Sequence, residues 1–210
     1  MIPMMVVPTL TRHDLLERML DSVDVAVRHL VVIDNSGDGF EVGDGPWEDA
    51  TVLRLPANLG VAASWNLAVR LAHRQPWVLI ASDDVLWPAG SLEQFVYLSG
   101  EERLVLSQTM PYWCAFTLGM SVVRDVGLFD EGYFPAYFED NDYERRCGRA
   151  GVFVDRDGPP VLHANSSTLN TPERNFAAHN QRSFEANARL FAEDRHHGFD
   201  PYRWRAQSWS

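Results

Sequence analysis

The chain has 210 residues, of which 46% are hydrophobic and 22% are charged, values typical of a globular domain with a substantial core. Its formal net charge of −11 makes nucleic acid an unlikely partner, because surfaces that bind nucleic acid normally carry a basic stripe. All 18 basic residues are arginines, which excludes Schiff-base chemistry and phosphate binding by lysine.

Membrane and disulfide signals are also weak. No apolar run approaches the roughly 20 residues that a transmembrane segment needs, and the first ten residues lack the basic start and cleavage site of a signal peptide. Cys114 and Cys147 are too few for a disulfide framework and form no Cys-x-x-Cys pair. We therefore expect a reducing, cytoplasmic location, with peripheral attachment to a membrane left open.

The first half of the chain alternates predicted strands and helices. Short apolar runs predict strands, and amphipathic spacing or a Ser91–Gln94 capping box predicts helices. The predicted strands cover residues 4–7, 30–33, 51–55 and 77–81, and the predicted helices cover 14–23, 61–73 and 91–98. Apolar strands that alternate with helices indicate an α/β fold, with a mostly parallel sheet and helices on both faces.

The second half is less regular. Residues 111–119 are rich in aromatic side chains and residues 121–126 form a short element. Residues 142–150 are predicted to be a helix, two short strands are predicted at 152–154 and 161–163, and a helical tail is predicted at 175–195.

An acidic cluster follows an aromatic run in this half. Glu139, Asp140 and Asp142 lie within four residues, directly after Tyr137 and Phe138. Aromatic neighbours can exclude water from a carboxyl group, which raises its pKa and suits it to act as a general base.

Helix capping is the alternative explanation of the cluster. Asn141 followed three residues later by Glu144 resembles a capping box, and acidic residues in a first turn suit the helix dipole. Capping accounts for Asn141, Asp142 and Glu144. It does not account for Glu139 and Asp140, which precede the expected cap.

Polar side chains follow all four strands of the predicted parallel sheet. They are Thr9 and Thr11, Asp34, Asn58, and Ser82 with Asp83 and Asp84. Open α/β sheets bind ligands beyond the carboxyl ends of their strands, so these groups indicate a binding rim. Two aspartates directly after a buried strand suit a hard cation such as Mn²⁺ or Mg²⁺, and a solvated turn is the alternative.

Five short motifs, taken in order, resemble those of glycosyltransferase family 2. They are Val-Pro-Thr at 7–9, Val-Ile-Asp-Asn-Ser at 32–36, Asn-Leu-Gly at 58–60 with Asn66, Ser-Asp-Asp-Val at 82–85, and Phe-Asp-Glu at 129–131 with Phe-Glu-Asp-Asn-Asp at 138–142. A His-x-x-Ser-Ser stretch begins at His163. The resemblance covers roughly residues 4–168. It implies a GT-A fold, which is Rossmann-related, and transfer of a sugar from a nucleotide diphosphate with inversion.

The resemblance implies roles for residues on the donor side. The positions that match the nucleotide-base site are Pro8, Thr9 and Asp34, and those that match the ribose and diphosphate region are Asn58, Gly60 and Asn66. Asp83 lies in the Asp-x-Asp region and is expected to contact the donor. Ser82 stands where many relatives have the first acid of that motif.

The resemblance also implies a metal site and a catalytic base. Asp84 matches the metal-binding acid, and His163 matches a histidine that completes the coordination in some members. A histidine hydrogen-bonded between two strands is the alternative for His163. Asp140 matches the catalytic base, with Glu139 beside it. Among the aromatic residues near the cluster, Trp113 is the expected platform for a sugar ring.

Together these inferences predict a metal-dependent glycosyltransferase in a single GT-A domain, residues 1–210. Residues 1–107 would bind the nucleotide sugar, 108–168 would carry the acceptor and catalytic half, and 169–210 would form a helical tail. The expected cofactor is Mn²⁺ or Mg²⁺, the expected donor is a nucleotide-diphosphate sugar, and the expected acceptor is a glycan, lipid-linked or protein hydroxyl. A non-catalytic nucleotide-sugar-binding module and a sugar nucleotidyltransferase are the alternatives.

Overall fold

The computed structural model describes residues 1–163 and 176–194, and for residues 176–180 it describes the backbone only. The strands in these ranges are β1 (Ile2–Thr9), β2 (Val27–Asp34), β3 (Trp47–Arg54), β4 (Trp77–Ala81), β5 (Val85–Leu86), β6 (Leu104–Leu106), β7 (Ala115–Gly119), β8 (Val154–Asp155) and β9 (Leu162–His163). The helices are α1 (His13–Asp21), α2 (Val61–Leu71), α3 (Ser91–Leu98), α4 (Met120–Val126), α5 (Glu139–Ala150) and α6 (Phe176–Ala192), and a 3-10 turn covers Tyr112–Cys114.

The strands form a seven-stranded sheet in the order β3-β2-β1-β4-β7-β6-β8 and a separate pair, β5-β9. Strands β1 to β4 are parallel, and β7 runs antiparallel to both β4 and β6. Thr9 of β1 lies opposite Asp34 of β2, which lies opposite Arg54 of β3. The carboxyl ends of three neighbouring strands therefore lie at one edge, as predicted from the polar residues that follow them.

Both faces of the sheet are covered by helices, which confirms that part of the prediction. Alternate residues of β1 point to opposite faces, so Met4 and Val6 pack with α2, α4 and α5, whereas Met5 and Val7 pack with α1 and α3. Strands buried on two sides have apolar residues on both faces, which explains their continuous apolar sequences. None of the helices in the described parts of the chain has both the length and the apolar character of a membrane-spanning segment.

Residues 35–46, between β2 and β3, contain no helix, and none was predicted between the strands at 30–33 and 51–55. Strand β7 was not predicted, because its five residues follow an aromatic-rich turn and have no alternating pattern. All five are buried, since β7 lies between two other strands and under helices.

Both predicted capping boxes are wrong. Helix α5 begins at Glu139 rather than at Asp142, so Asn141 is its third residue and cannot be its cap. The residue before α5 is Phe138, whose backbone is left-handed and whose side chain makes no capping bond. Helix α3 begins at Ser91 itself, after a left-handed Gly90, and the Ser91 side chain makes no capping bond.

Candidate active site

A cavity of about 500 Å³ opens at the carboxyl edge of the parallel strands. Its walls come from the ends of β1 and β4, the start of α2, the segment 135–141 and one residue of α6. Most of the predicted site residues line it, namely Pro8, Thr9, Asn58, Gly60, Asp83, Asp84, Trp113, Glu139, Asp140 and His163. The fold thus brings together residues that are up to 155 positions apart in the sequence, from Pro8 to His163.

One wall of the cavity is formed where β1 and β4 end. The Thr9 hydroxyl donates a 2.7 Å hydrogen bond to Oδ2 of Asp83 and so joins the two strand ends. Burial, with a smaller contribution from the negative charge of Asp84, raises the pKa of Asp83 to about 6 against the opposing effect of the Thr9 hydrogen bond.

Asp84 and His163 form a buried pair on the same wall. Asp84 directly precedes β5, and His163 lies in β9 opposite Val85 of β5, so the strand pairing places the two side chains together. His163 Nε2 lies 2.9 Å from Asp84 Oδ1, with 8% and 7% of the two side chains exposed. His163 therefore lies in a strand pair, as the alternative explanation has it, and it also contacts the predicted metal-binding acid, so its role as a metal ligand stays a prediction.

The chemistry of this pair fits a divalent cation. A carboxylate oxygen and an imidazole nitrogen are donors that Mn²⁺ accepts, and adjacent ligands of an octahedral ion lie roughly 3 Å apart. His163 Nδ1 is buried and makes no hydrogen bond within the described part of the chain. The described residues include no group of three or more acidic, histidine or cysteine side chains suited to a metal. Of the described residues, Asp84 and His163 are the pair that could hold a cation, with other positions left to the donor diphosphate and water.

The opposite wall carries Glu139 and Asp140, the first two residues of α5. Glu139 is 6% exposed, and its Oε2 atom has no hydrogen-bond partner among the described residues. Burial, together with the negative charge of Asp140, raises the pKa of Glu139 to about 8. Burial also raises the pKa of Asp140, but its Oδ1 accepts a 2.7 Å hydrogen bond from the Asn141 amide, which favours the ionised form. A pKa of about 8 favours the protonated form of Glu139 at neutral pH, whereas the Asn141 hydrogen bond favours the carboxylate form of Asp140.

The backbone before α5 makes a close contact with α2. The Val61 amide donates a 2.8 Å hydrogen bond to the carbonyl of Pro135. Gly60 has a φ of +80°, and a Cβ atom there would lie 2.8 Å from the same carbonyl oxygen. Glycine is therefore needed at this position, both for its left-handed backbone and for the close approach of the two segments.

Two predicted donor-binding residues do not line the cavity, because their side chains support the surrounding backbone. Asp34 is fully buried, and its carboxylate accepts hydrogen bonds from the Ser36 hydroxyl and from the amides of Ser36 and Gly39. Asn66 bonds through its side-chain oxygen and nitrogen to the amide and carbonyl of Phe129, and also to Glu131. The structure places Asp34 at the end of β2, where it binds the turn that follows, and it places Asn66 on the side of α2 that contacts the Phe129–Glu131 segment.

Trp113 lies at the border between the cavity and the core. Its ring stacks on Trp65 at 5.8 Å, and its indole N–H donates a 2.9 Å hydrogen bond to Glu144. Only 6% of the residue is exposed, so Trp113 does not form the open platform that was expected.

Several residues that line the cavity were not predicted. Asn35 accepts a hydrogen bond from the Leu59 amide and contacts Ser64, which orders the turn ahead of α2. Its place directly after Asp34 was the available sequence signal. Phe184, from α6, also lines the cavity, and nothing in its sequence context indicates this.

Comparison with known proteins adds to this geometry. The sequence profile of glycosyl transferase family 2 matches residues 4–129. No curated protein has a sequence that matches this chain.

Solved structures with a similar fold include S. aureus TarS, with a TM-score of 0.55 and 14% identity over 100% of this chain and 46% of the TarS chain. The catalytic domain of Drosophila β1,4-galactosyltransferase 7 in complex with xylobiose has a TM-score of 0.54 and 13% identity, over 85% of this chain and 78% of that one. A mutant of the same Drosophila enzyme, in complex with manganese, UDP-Gal and xylobiose, has a TM-score of 0.52 and 11% identity, over 87% and 79%. This chain thus spans less than half of the TarS chain. The predicted α/β fold of the GT-A type is confirmed.

Proposed function

Because this chain belongs to glycosyl transferase family 2, we propose that it moves a sugar from a nucleotide-diphosphate donor to an acceptor hydroxyl, with inversion and with help from a divalent cation. Its membership confirms the predicted enzyme class at the level of the family. The observation that carries the detailed proposal is that Asp84 and His163 share one cavity with Glu139 and Asp140. A cavity of about 500 Å³ also lies in the usual size range of small-molecule sites.

The donor side needs a positive charge that this protein does not supply with lysine. The net charge of −11 and the rim aspartates Asp83 and Asp84 would repel a diphosphate. A cation held by Asp84 and His163 would offset that repulsion and stabilise the negative charge of the departing diphosphate. The structural neighbour in complex with manganese and UDP-Gal supports this assignment, although its low identity relates the two proteins by fold alone.

The acceptor side needs a base. In the proposed reaction Asp140 accepts the proton of the acceptor hydroxyl as that oxygen bonds to the anomeric carbon. The bond from the anomeric carbon to the diphosphate oxygen breaks on the opposite face, which inverts the configuration. Protonated Glu139 has a buried oxygen without a partner among the described residues, and it can donate a hydrogen bond to a hydroxyl of a bound substrate. The neighbour with bound xylobiose supports a glycan as the acceptor.

The first experiment tests the cation. Titration calorimetry would measure the binding of nucleoside diphosphates to the wild type with Mn²⁺ and with EDTA. We expect much tighter binding with Mn²⁺, loss of this difference in Asp84→Ala, and a smaller loss in His163→Ala, because a neutral imidazole contributes a ligand without a charge. Asp14→Ala, an exposed acid outside the cavity, is the control. Equal affinity with EDTA and with Mn²⁺ in the wild type would rule out the metal assignment.

A second experiment separates the alternative functions. A panel of nucleotide-diphosphate sugars with glycan acceptors would be followed for release of nucleoside diphosphate and for the transferred sugar. A nucleotidyltransferase would instead release pyrophosphate from a nucleoside triphosphate and a sugar phosphate. A binding module would bind the donor without turnover under any of these conditions.

A further inference from the structure

The backbone just before the proposed base has an unfavourable conformation. Tyr137 and Phe138 have φ angles of +80° and +73°, and they directly precede Glu139 and Asp140. Side chains with a Cβ atom disfavour this left-handed region, and two such residues in succession need external support. The direction in which α5 starts, and therefore the placement of Asp140, depends on what holds these two residues.

Asn187 of α6 supplies hydrogen bonds to this segment. Its side-chain nitrogen lies 2.9 Å from the carbonyl oxygen of Ala136, 3.3 Å from that of Tyr137 and 3.5 Å from that of Phe134. Asn187 is 2% exposed and lies outside the cavity lining. One buried amide group thus binds three carbonyls of the segment that leads into α5.

Aromatic and charged contacts fix α6 around Asn187. Phe184 packs on the rings of Tyr137 and Phe138 at 5.4 and 5.2 Å, and Phe191 packs on Phe138 at 5.5 Å. Arg145 of α5 donates a 3.1 Å hydrogen bond to the Phe191 carbonyl, and its guanidinium lies 4.1 Å from the centre of the Phe191 ring. Residues 184, 187 and 191 follow helical spacing, so one face of α6 makes all of these contacts.

From these contacts we propose that Asn187 is a positioning residue, which acts through the backbone of residues 134–138 to hold Asp140 in its reactive orientation. The proposal rests on the proposed function for the role of Asp140. Helix α6 is then a part of the active-site architecture contributed by the C-terminal tail.

The chemistry of the contact favours positioning over simple packing. An apolar side chain would pack α6 against Phe138 equally well, but it would leave the carbonyls of Ala136 and Tyr137 without the Asn187 N–H donor. The carbonyl of Pro135, in the middle of the same segment, accepts from Val61 of α2. The segment is therefore bound by α2 at Pro135 and by the tail at the neighbouring carbonyls, which restricts it from two directions.

The first test uses full-length Asn187→Ala and Asn187→Asp, with Gln181→Ala as the control. Asp keeps the shape of Asn but has no N–H to donate, and Gln181 is an exposed α6 residue that bonds to Glu185 instead. We expect faster amide hydrogen exchange in residues 134–141 for both Asn187 variants. We also expect kcat to fall on the order of 10–10²-fold with unchanged donor affinity, as a small misplacement of a catalytic group produces. Unchanged exchange in residues 134–141 would overturn the proposal.

A double-mutant cycle tests whether Asn187 acts through Asp140. In an Asp140→Asn background, Asn187→Ala should cause little further loss of kcat, because the group that it positions no longer works as a base. If the fold-losses in kcat of the two single variants multiply in the double variant, the proposal is overturned. If Asn187→Ala does not fold, Phe191→Ala takes its place, because it weakens the attachment of α6 from outside the cavity. Hydrogen exchange in residues 134–141 and kcat are then measured for that variant. A wild type without transfer activity would refute the proposed function, whereas hydrogen exchange would still decide whether Asn187 holds the segment.

Discussion

The two walls of the cavity are built in different ways. The donor wall, with Thr9, Asp83 and Asp84, lies at the ends of buried parallel strands whose register is set by the sheet itself. The wall that holds the proposed base, with Glu139 and Asp140, is called the catalytic wall for that proposed role, and it follows a segment with two left-handed residues that contacts α2 and α6. The same cavity therefore combines a wall supported by regular secondary structure with a wall supported by long-range contacts.

This difference has consequences for mutation. Strand ends are held by many ladder hydrogen bonds, so a substitution there should act locally. A loop held by a few specific bonds transmits the loss of any one of them to the groups that it presents. We expect the catalytic wall to be the more sensitive of the two, and four substitutions test this expectation.

Asp140→Asn should have the largest effect. The amide keeps the size of the carboxylate but cannot accept a proton, and general-base catalysis is typically worth about 10²–10⁴-fold in rate. We expect the transfer rate to fall by that order while donor affinity and melting temperature stay unchanged. Kinetics with a matched donor and acceptor, together with calorimetry, would measure this. An Asp140→Asn enzyme with normal turnover would remove Asp140 as the base.

Asp142→Asn should act on the same wall through stability. Asp142 is fully buried and bonds to Arg146 Nε at 2.8 Å and to Arg145 at 3.3 Å, and Arg146 also donates to the Val126 carbonyl. Removing one partner of a buried ion pair typically costs about 3–5 kcal/mol of unfolding free energy.

Urea denaturation would measure this loss, with Asp14→Asn as the control. Asp14 pairs with Arg12 at 2.7 Å but is exposed, so its loss should cost less than about 1 kcal/mol. Similar costs for the two variants would contradict the view that the start of α5 depends on a buried pair.

Glu139→Gln should change the pH dependence of stability. The folded pKa of Glu139, about 8, lies above its unfolded value, so the folded state keeps a proton that the unfolded state releases. This contribution to stability is fully present below the unfolded pKa and is lost as pH rises towards about 8, at about 1.4 kcal/mol per pH unit. The variant lacks this dependence. Denaturation between about pH 5 and about pH 9 should therefore show the wild type losing stability relative to Glu139→Gln. Parallel curves would show that Glu139 is not protonated in the folded protein.

Thr9→Val should have the smallest effect of the four. It removes the 2.7 Å hydrogen bond that joins the ends of β1 and β4 and leaves a buried oxygen of Asp83 without that donor. Such a loss typically costs about 1–3 kcal/mol. Thr51→Val, on the exposed edge strand β3, is the matched control and should be nearly neutral. If Thr9→Val lowered the transfer rate more than Asp140→Asn does, the donor wall would be the more sensitive of the two walls.

The sequence by itself determined most of the donor half. Strands buried on both faces have continuous apolar sequences, and polar residues directly after them mark the rim, so β1, β2, β4 and the cluster of Thr9, Asp83 and Asp84 could be predicted. The exposed edge strand β3 was predicted only over its second half. The local pattern also singled out Glu139 and Asp140, since they follow two aromatic residues that can exclude water from a carboxyl group.

Only the tertiary structure decided how these side chains are used. Asp34 and Asn66 have the residue types of ligand-binding groups, but their hydrogen bonds are made with nearby turns and with Phe129. Glu139 and Asp140 are adjacent acids, and burial raises the pKa of both, but only the Asp140 carboxylate accepts a hydrogen bond from the Asn141 amide, which opposes the shift. The support from Asn187 comes from 47 residues beyond Asp140. The physical reason is that pKa values and backbone support depend on what lies nearby in space, and hydrophobic periodicity reports only which face of an element is buried.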